Sequence, residues 1–185
     1  MNQMIYTTLS KTKIERLIYL LALFFVGSFI GFIWEVIVYW TQHSQNIWTV
    51  IFELRGFLHG TWVPIYGFGC VGIYLLNYSF KNNLLLLILR SACICSVIEY
   101  ITSWILEYVF NMTLWDYSQQ FLNLNGRISL LSIMFFGIAG AFIIYFLEPI
   151  FNQVFYQLTF YTRMFICIFL GILFVIDVCF SLLVL

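Results

Sequence analysis

Ionisable and amide side chains are few in this chain, which is 63% hydrophobic, 21% aromatic and 9% charged. They gather in a handful of places. Glu35 lies in Gly31-Phe32-Ile33-Trp34-Glu35, and Glu99 lies in a long apolar run with Ser96, Ser103 and Glu107. Recurrence every three or four residues puts Ser96, Glu99, Ser103 and Glu107 on one helical face. An ionised carboxylate is costly against lipid, so that face must look into protein or a wet cavity. Each carboxyl is then either ion-paired or held neutral by its surroundings. Arg55 and Arg127 are the partners expected from sequence, two cations against two buried acids. Such a cluster suits an ionic or zwitterionic headgroup, a proton or a small polar solute. The competing reading is structural, with the same pairs only pinning loops onto a helix bundle.

Two segments concentrate the remaining polar chemistry. One runs Leu54-Arg55-Gly56-Phe57-Leu58-His59-Gly60-Thr61-Trp62-Val63-Pro64-Ile65-Tyr66-Gly67-Phe68-Gly69; the other joins Trp115-Asp116-Tyr117-Ser118 to Asn123-Leu124-Asn125-Gly126-Arg127. Irregular backbone of this kind is tolerated at membrane depth only where it is buried in protein or wet. His59 stands beside an arginine with no second histidine nearby, which makes a poor metal site. Cys93 and Cys95 are one residue apart, unlike a redox or zinc pair, and all five cysteines read as small apolar packing residues. No metal and no cofactor is expected. There is no GxxxxGK[ST] loop, so any ATP hydrolysis would need another subunit. With no GxSxG elbow and no zinc-protease motif, an enzyme is not expected. Asp177 is a further intramembrane acid to which the sequence assigns no partner.

The elements that hold these residues follow from composition. A soluble domain carries roughly a quarter charged residues, so this is an integral membrane protein with the lipid bilayer as its first partner. Net charge is zero, which argues against nucleic acid. Apolar runs of about 20 residues are needed to cross hydrocarbon. They fall at approximately 17–40, 62–80, 84–110, 128–146 and 164–185. The expected fold is an all-α polytopic helix bundle of about five transmembrane helices. Residues 1–16 are expected as a cytoplasmic N-terminal segment and 17–185 as a single transmembrane domain. Lys11, Lys13, Arg16, Lys81 and Arg163 fall on one side of that topology, which the positive-inside rule assigns to the cytoplasm. Both polar motif loops are then extracytoplasmic. After Pro149, Phe151, Val154, Phe155, Leu158 and Thr162 repeat at helical spacing, either as an amphipathic helix on the cytoplasmic face or as an extension of a neighbouring span. Ile47–Leu54 reads as an outer counterpart.

Three motifs in order carry a resemblance. Arg55-Gly56-Phe57-Leu58-x-Gly60-x-x-x-Pro64-Ile65-Tyr66-Gly67-Phe68-Gly69, then Glu99-Tyr100, then Trp115-Asp116-Tyr117-Ser118 with Asn123-x-Asn125-Gly126-Arg127-Ile128, resemble a family of bacterial membrane proteins. That family is described as "Putative ABC-transporter type IV", or CmpB-like permeases. The likeness runs from about Gly31 to Pro149. It departs at Leu54, where an asparagine is usual, and at Thr61, where a proline is usual. The resemblance implies a multi-pass cell-membrane permease or transport-associated subunit, working with a separate ATPase subunit or envelope protein. Glu35, Arg55, His59, Tyr66, Glu99, Tyr100, Trp115, Asp116, Asn125 and Arg127 are the residues expected to line an outward-facing polar pocket for a lipid or small polar ligand. The alternative is an extracytoplasmic lipid-headgroup-binding or scaffolding membrane protein without transport activity.

Overall fold

The computed structural model describes residues 13–43 and 57–184, and every regular element within them is helical. Helix α1 is Lys13–His43, α2 is Pro64–Asn77, α3 is Leu84–Phe110, α4 is Leu130–Phe142, α5 is Glu148–Gln157 and α6 is Phe160–Val184. A 3-10 turn, Tyr78–Phe80, follows α2, and a π segment, Ile143–Leu147, joins α4 to α5. Arg55 and the interfacial piece expected at Ile47–Leu54 lie outside the described residues.

Four helical stretches are long and apolar enough to cross a membrane: Lys13–Thr41, Leu84–Phe110, Leu130–Gln157 and Phe160–Val184. The remaining expected span is shorter than the sequence suggests. Its helix has 14 residues, about 21 Å at 1.5 Å per residue, against a hydrocarbon thickness of about 30 Å. Pro64 opens it, where a missing N–H is harmless. Buried Asn77 closes it, donating to Ser91 Oγ at 2.7 Å and accepting from Arg90 Nε at 2.9 Å. Arg90 also caps the Leu76 carbonyl at 2.9 Å and lies over the Phe80 ring, so its charge sits at a helix C-terminus, where the backbone dipole favours it.

Helix α2 packs between α1 and α3, and α3 packs on α4. The approach of α2 to α1 is close enough that a Cβ on Gly67 would fall 2.6 Å from the Phe24 carbonyl oxygen. Helix α6 leans on α1, with Cys167 beside the Ile18 carbonyl. Asn83 caps α3 by accepting from Leu86 N, and Ser129 with Ser132 forms a capping box at the start of α4.

The piece after Pro149 is an extension of the fourth span, the second of the two arrangements expected for it. Through the π segment, the Glu148 N–H reaches Ile143 O, five residues back. This wider turn makes room for Pro149, whose ring would collide with the carbonyl four residues before it in a regular α-helix. The apolar face of α5 then meets α1. Tyr19 is buried among Tyr74, Phe151, Phe155 and Tyr156 and donates to Glu148 Oε1 at 2.8 Å.

Candidate functional site

Three polar arrangements occupy the end of the bundle opposite Tyr19. The first joins the helices. Glu99, on α3 and 6% exposed, accepts from the Tyr117 hydroxyl at 3.1 Å. Tyr66, in the first turn of α2, is hydrogen-bonded to Glu35 on α1. Glu35 and Glu99 both act electrostatically on Tyr66 and on Tyr117. Two carboxyls and their tyrosines therefore form one electrostatically connected group drawn from α1, α2, α3 and the loop at 111–129. Burial, and then the Glu99 carboxylate, push the Tyr117 hydroxyl above the usual phenol range, so it stays a donor. Glu99 Oε2 and Ser96 Oγ, one turn apart on α3, are buried with no hydrogen-bond partner among the described residues.

The second arrangement is the loop at 111–129 itself. Arg127 is ion-paired with Glu107 and lies over the Tyr100 ring at 5.5 Å. This corrects the expected pairing of Arg127 with Glu35 or Glu99. All the acids of α3 share a face, but Glu107 is eight residues beyond Glu99, about 12 Å further along the axis, and Arg127 meets the helix at that level. Asn125 Nδ2 donates to Tyr100 Oη at 2.8 Å, and Trp115 Nε1 donates to the Arg127 carbonyl at 3.1 Å. Asp116 accepts from Ser118 N and Oγ, closing a local turn. Gly126, at φ +69, brings its backbone against Asp116 Oδ1, where a Cβ would stand 2.8 Å away.

The third is a clamp. Asp177, on α6, accepts from His59 N at 3.1 Å, Gly60 N at 2.9 Å and Trp62 Nε1 at 2.6 Å. His59 Nδ1 meets Ser181 Oγ at 2.9 Å, and the imidazole packs edge-on against Phe180. One carboxylate thus satisfies two backbone N–H groups that irregular chain at this depth would leave bare. Val63 N donates to Ser28 O, fixing the loop's far end to α1.

Of the residues expected at one pocket, Glu35, Tyr66 and Glu99 come together. Tyr100, Trp115, Asn125, Arg127 and Asp116 form or brace the second arrangement, and His59 belongs to the clamp. Tyr117 and Ser181 were not among the expected site residues. Tyr117 stands inside the Trp115-Asp116-Tyr117-Ser118 motif, and nothing in its spacing points to Glu99. Ser181 falls one turn beyond Asp177, the spacing that could have flagged it. Residues 22–182 match the family model described as "Putative ABC-transporter type IV". The chain belongs to that family. The matched span takes in all three arrangements, Ser181 included. No curated protein and no solved structure matches the chain.

Proposed function

We propose that this family member is a multi-pass permease or transport-associated subunit of the cell membrane, and that the acid–tyrosine group lines its polar path. One observation carries the reading. Glu99 is a carboxyl buried in an apolar bundle, with one oxygen held by Tyr117, the Ser132 hydroxyl acting on it more loosely, and its second oxygen without a hydrogen bond of normal geometry among the described residues. A packing role would favour satisfying both oxygens, because an orphaned buried acceptor costs about 1–3 kcal/mol. An open acceptor beside Glu35 and Tyr66 suits a transient donor, such as a proton, a hydroxyl or an ammonium group. His59, Tyr100, Trp115, Asp116, Asn125 and Arg127 then act as supports that hold both loops over the group. Arg55 completes the proposed set from the adjoining segment. Family membership supports work alongside a separate ATPase subunit.

The test is purification from native membranes in mild detergent, with ATP hydrolysis measured on what accompanies the protein. A nucleotide-hydrolysing partner whose turnover falls with Glu99→Gln, while the variant remains folded, is the expected result. Purification without any such partner, or unchanged turnover in the variant, refutes the assignment. A scaffolding role without transport is the second reading, favoured by the Asp177 clamp and the Arg127–Glu107 pair, which pin both loops.

A further inference from the structure

We infer that the tip of the loop at 111–129 is a membrane anchor, with Phe121 and Leu122 seated in the lipid leaflet around α3 and α4. Backbone conformation gives the first argument. Positive φ occurs at Asn111, Leu122, Asn125 and Gly126 among the described residues. Asparagine and glycine are the residues that tolerate this region; a leucine there is strained by its Cβ. The strained leucine is 65% exposed and the adjacent Phe121 is 77% exposed, so neither side chain repays the strain by packing inside the protein.

Depth gives the second. The loop touches α3 at Glu99, Tyr100 and Glu107, so it lies beside the last three turns of a membrane-length helix instead of standing above it. Trp104 and Tyr108, exposed on those turns, are the residue types of the interfacial belt. The third argument is continuity. Phe121 and Gln120 line an open groove of about 280 Å³ with Leu130, Leu131 and Met134, at the start of the Leu130–Gln157 span. Apolar surface of the loop therefore runs into the outward face of α4 without a break. The chain on either side of the tip is held by its own hydrogen bonds, which fix where Phe121 and Leu122 project. Tyr117 N donates to Gly126 O, Gln120 N to Tyr117 O, Leu124 N to Ile128 O, and Asn123 Nδ2 to the Ser118 and Gln120 carbonyls.

The partner is thus the acyl region of the bilayer next to the headgroups. Its function would be to fix the height of the loop, and so of Tyr117 over Glu99. The anchor does not depend on what, if anything, passes the acid–tyrosine group.

Phe121→Cys, Leu122→Cys and, as an exposed polar control on the same loop, Gln119→Cys are reconstituted in liposomes of phosphatidylcholine and phosphatidylglycerol and treated with a membrane-impermeant maleimide, each rate taken relative to the parent protein. Apolar surroundings raise a thiol pKa and leave about tenfold less thiolate per unit. The first two are expected to react at least about tenfold more slowly than the control, by that same relation. Equal rates overturn the proposal. In a second arm, Phe121→Trp in liposomes containing phosphatidylcholine brominated on its acyl chains should show added quenching over the parent. Slow thiols without added quenching mean that protein covers the tip, and overturn it too.

Discussion

Removing the Asp177 carboxylate is the most quantitative test of how the His59 loop is held. Three donors converge on it, two from backbone and one from the Trp62 indole. Each hydrogen bond contributes about 0.5–1.5 kcal/mol net, and the donors on His59, Gly60 and Trp62, exposed or half-buried, lose their partner as well. Asp177→Ala is therefore expected to cost about 3–4 kcal/mol. Asp177→Asn keeps one acceptor oxygen. Turned toward Gly60 N and Trp62 Nε1, it preserves two bonds and sets an amide donor against His59 N, costing about 1–2 kcal/mol. The assay is reversible unfolding in mixed micelles, followed by tryptophan fluorescence. Trp62→Phe, made in the parent and in the Asp177→Ala protein, closes a double-mutant cycle. In the parent it removes a bond; in the alanine variant that bond is already gone, so the loss should be smaller by about 1 kcal/mol. Equal effects in both backgrounds would show that Asp177 does not hold the loop through these contacts.

Four further outcomes follow from the packing. Gly140→Ala would place a Cβ 2.1 Å from Ser91 Cβ, forcing α3 and α4 apart at about 1–3 kcal/mol. Gly171→Ala meets nothing within 4 Å and should stabilise α6 by up to about 1 kcal/mol, since glycine is the poorer helix former; unfolding midpoints check both. Tyr19→Phe leaves buried Glu148 Oε1 without its donor and should cost about 1–3 kcal/mol, with faster hydrogen exchange across α5 as the local signature. Glu107→Gln should cost at most about 1 kcal/mol, because the Glu107 side chain is 45% exposed, and the loss should shrink as salt is raised.

Much of the bundle is legible in hydropathy alone. The expected runs at 17–40, 84–110 and 164–185 fall on α1, α3 and α6, because long uninterrupted apolar stretches admit little else. The run at 62–80 overstates α2, since apolarity counts Trp62 and Phe80 but carries no sign that the helix stops at Asn77. Glu35 and Glu99 stand out in the sequence as intramembrane acids, and Tyr66, from the glycine-rich segment, is hydrogen-bonded to the first of them. The partner of Arg127 was not recoverable, because helical periodicity fixes a face but not a height along it. Asp177 shows a different gap. Its partners are mostly backbone N–H groups, which leave no trace in the amino-acid code. Tyr19 and Glu148 were equally silent, being separated by 129 positions.

The wide turn at Ile143–Leu147 has a consequence for how this polypeptide tolerates length changes. Each residue advances a helix by about 100°, so one inserted or lost within that turn would rotate everything after it by over a quarter of a circle. Glu148 would swing from the Tyr19 hydroxyl toward acyl chains, and Phe155 would leave its aromatic neighbours, though the apolar character of the stretch would scarcely change. The spacing between Gly140 and Glu148 is thus set by angle as much as by chemistry, and a shortened α4–α5 junction would still insert into the bilayer while failing to close against α1.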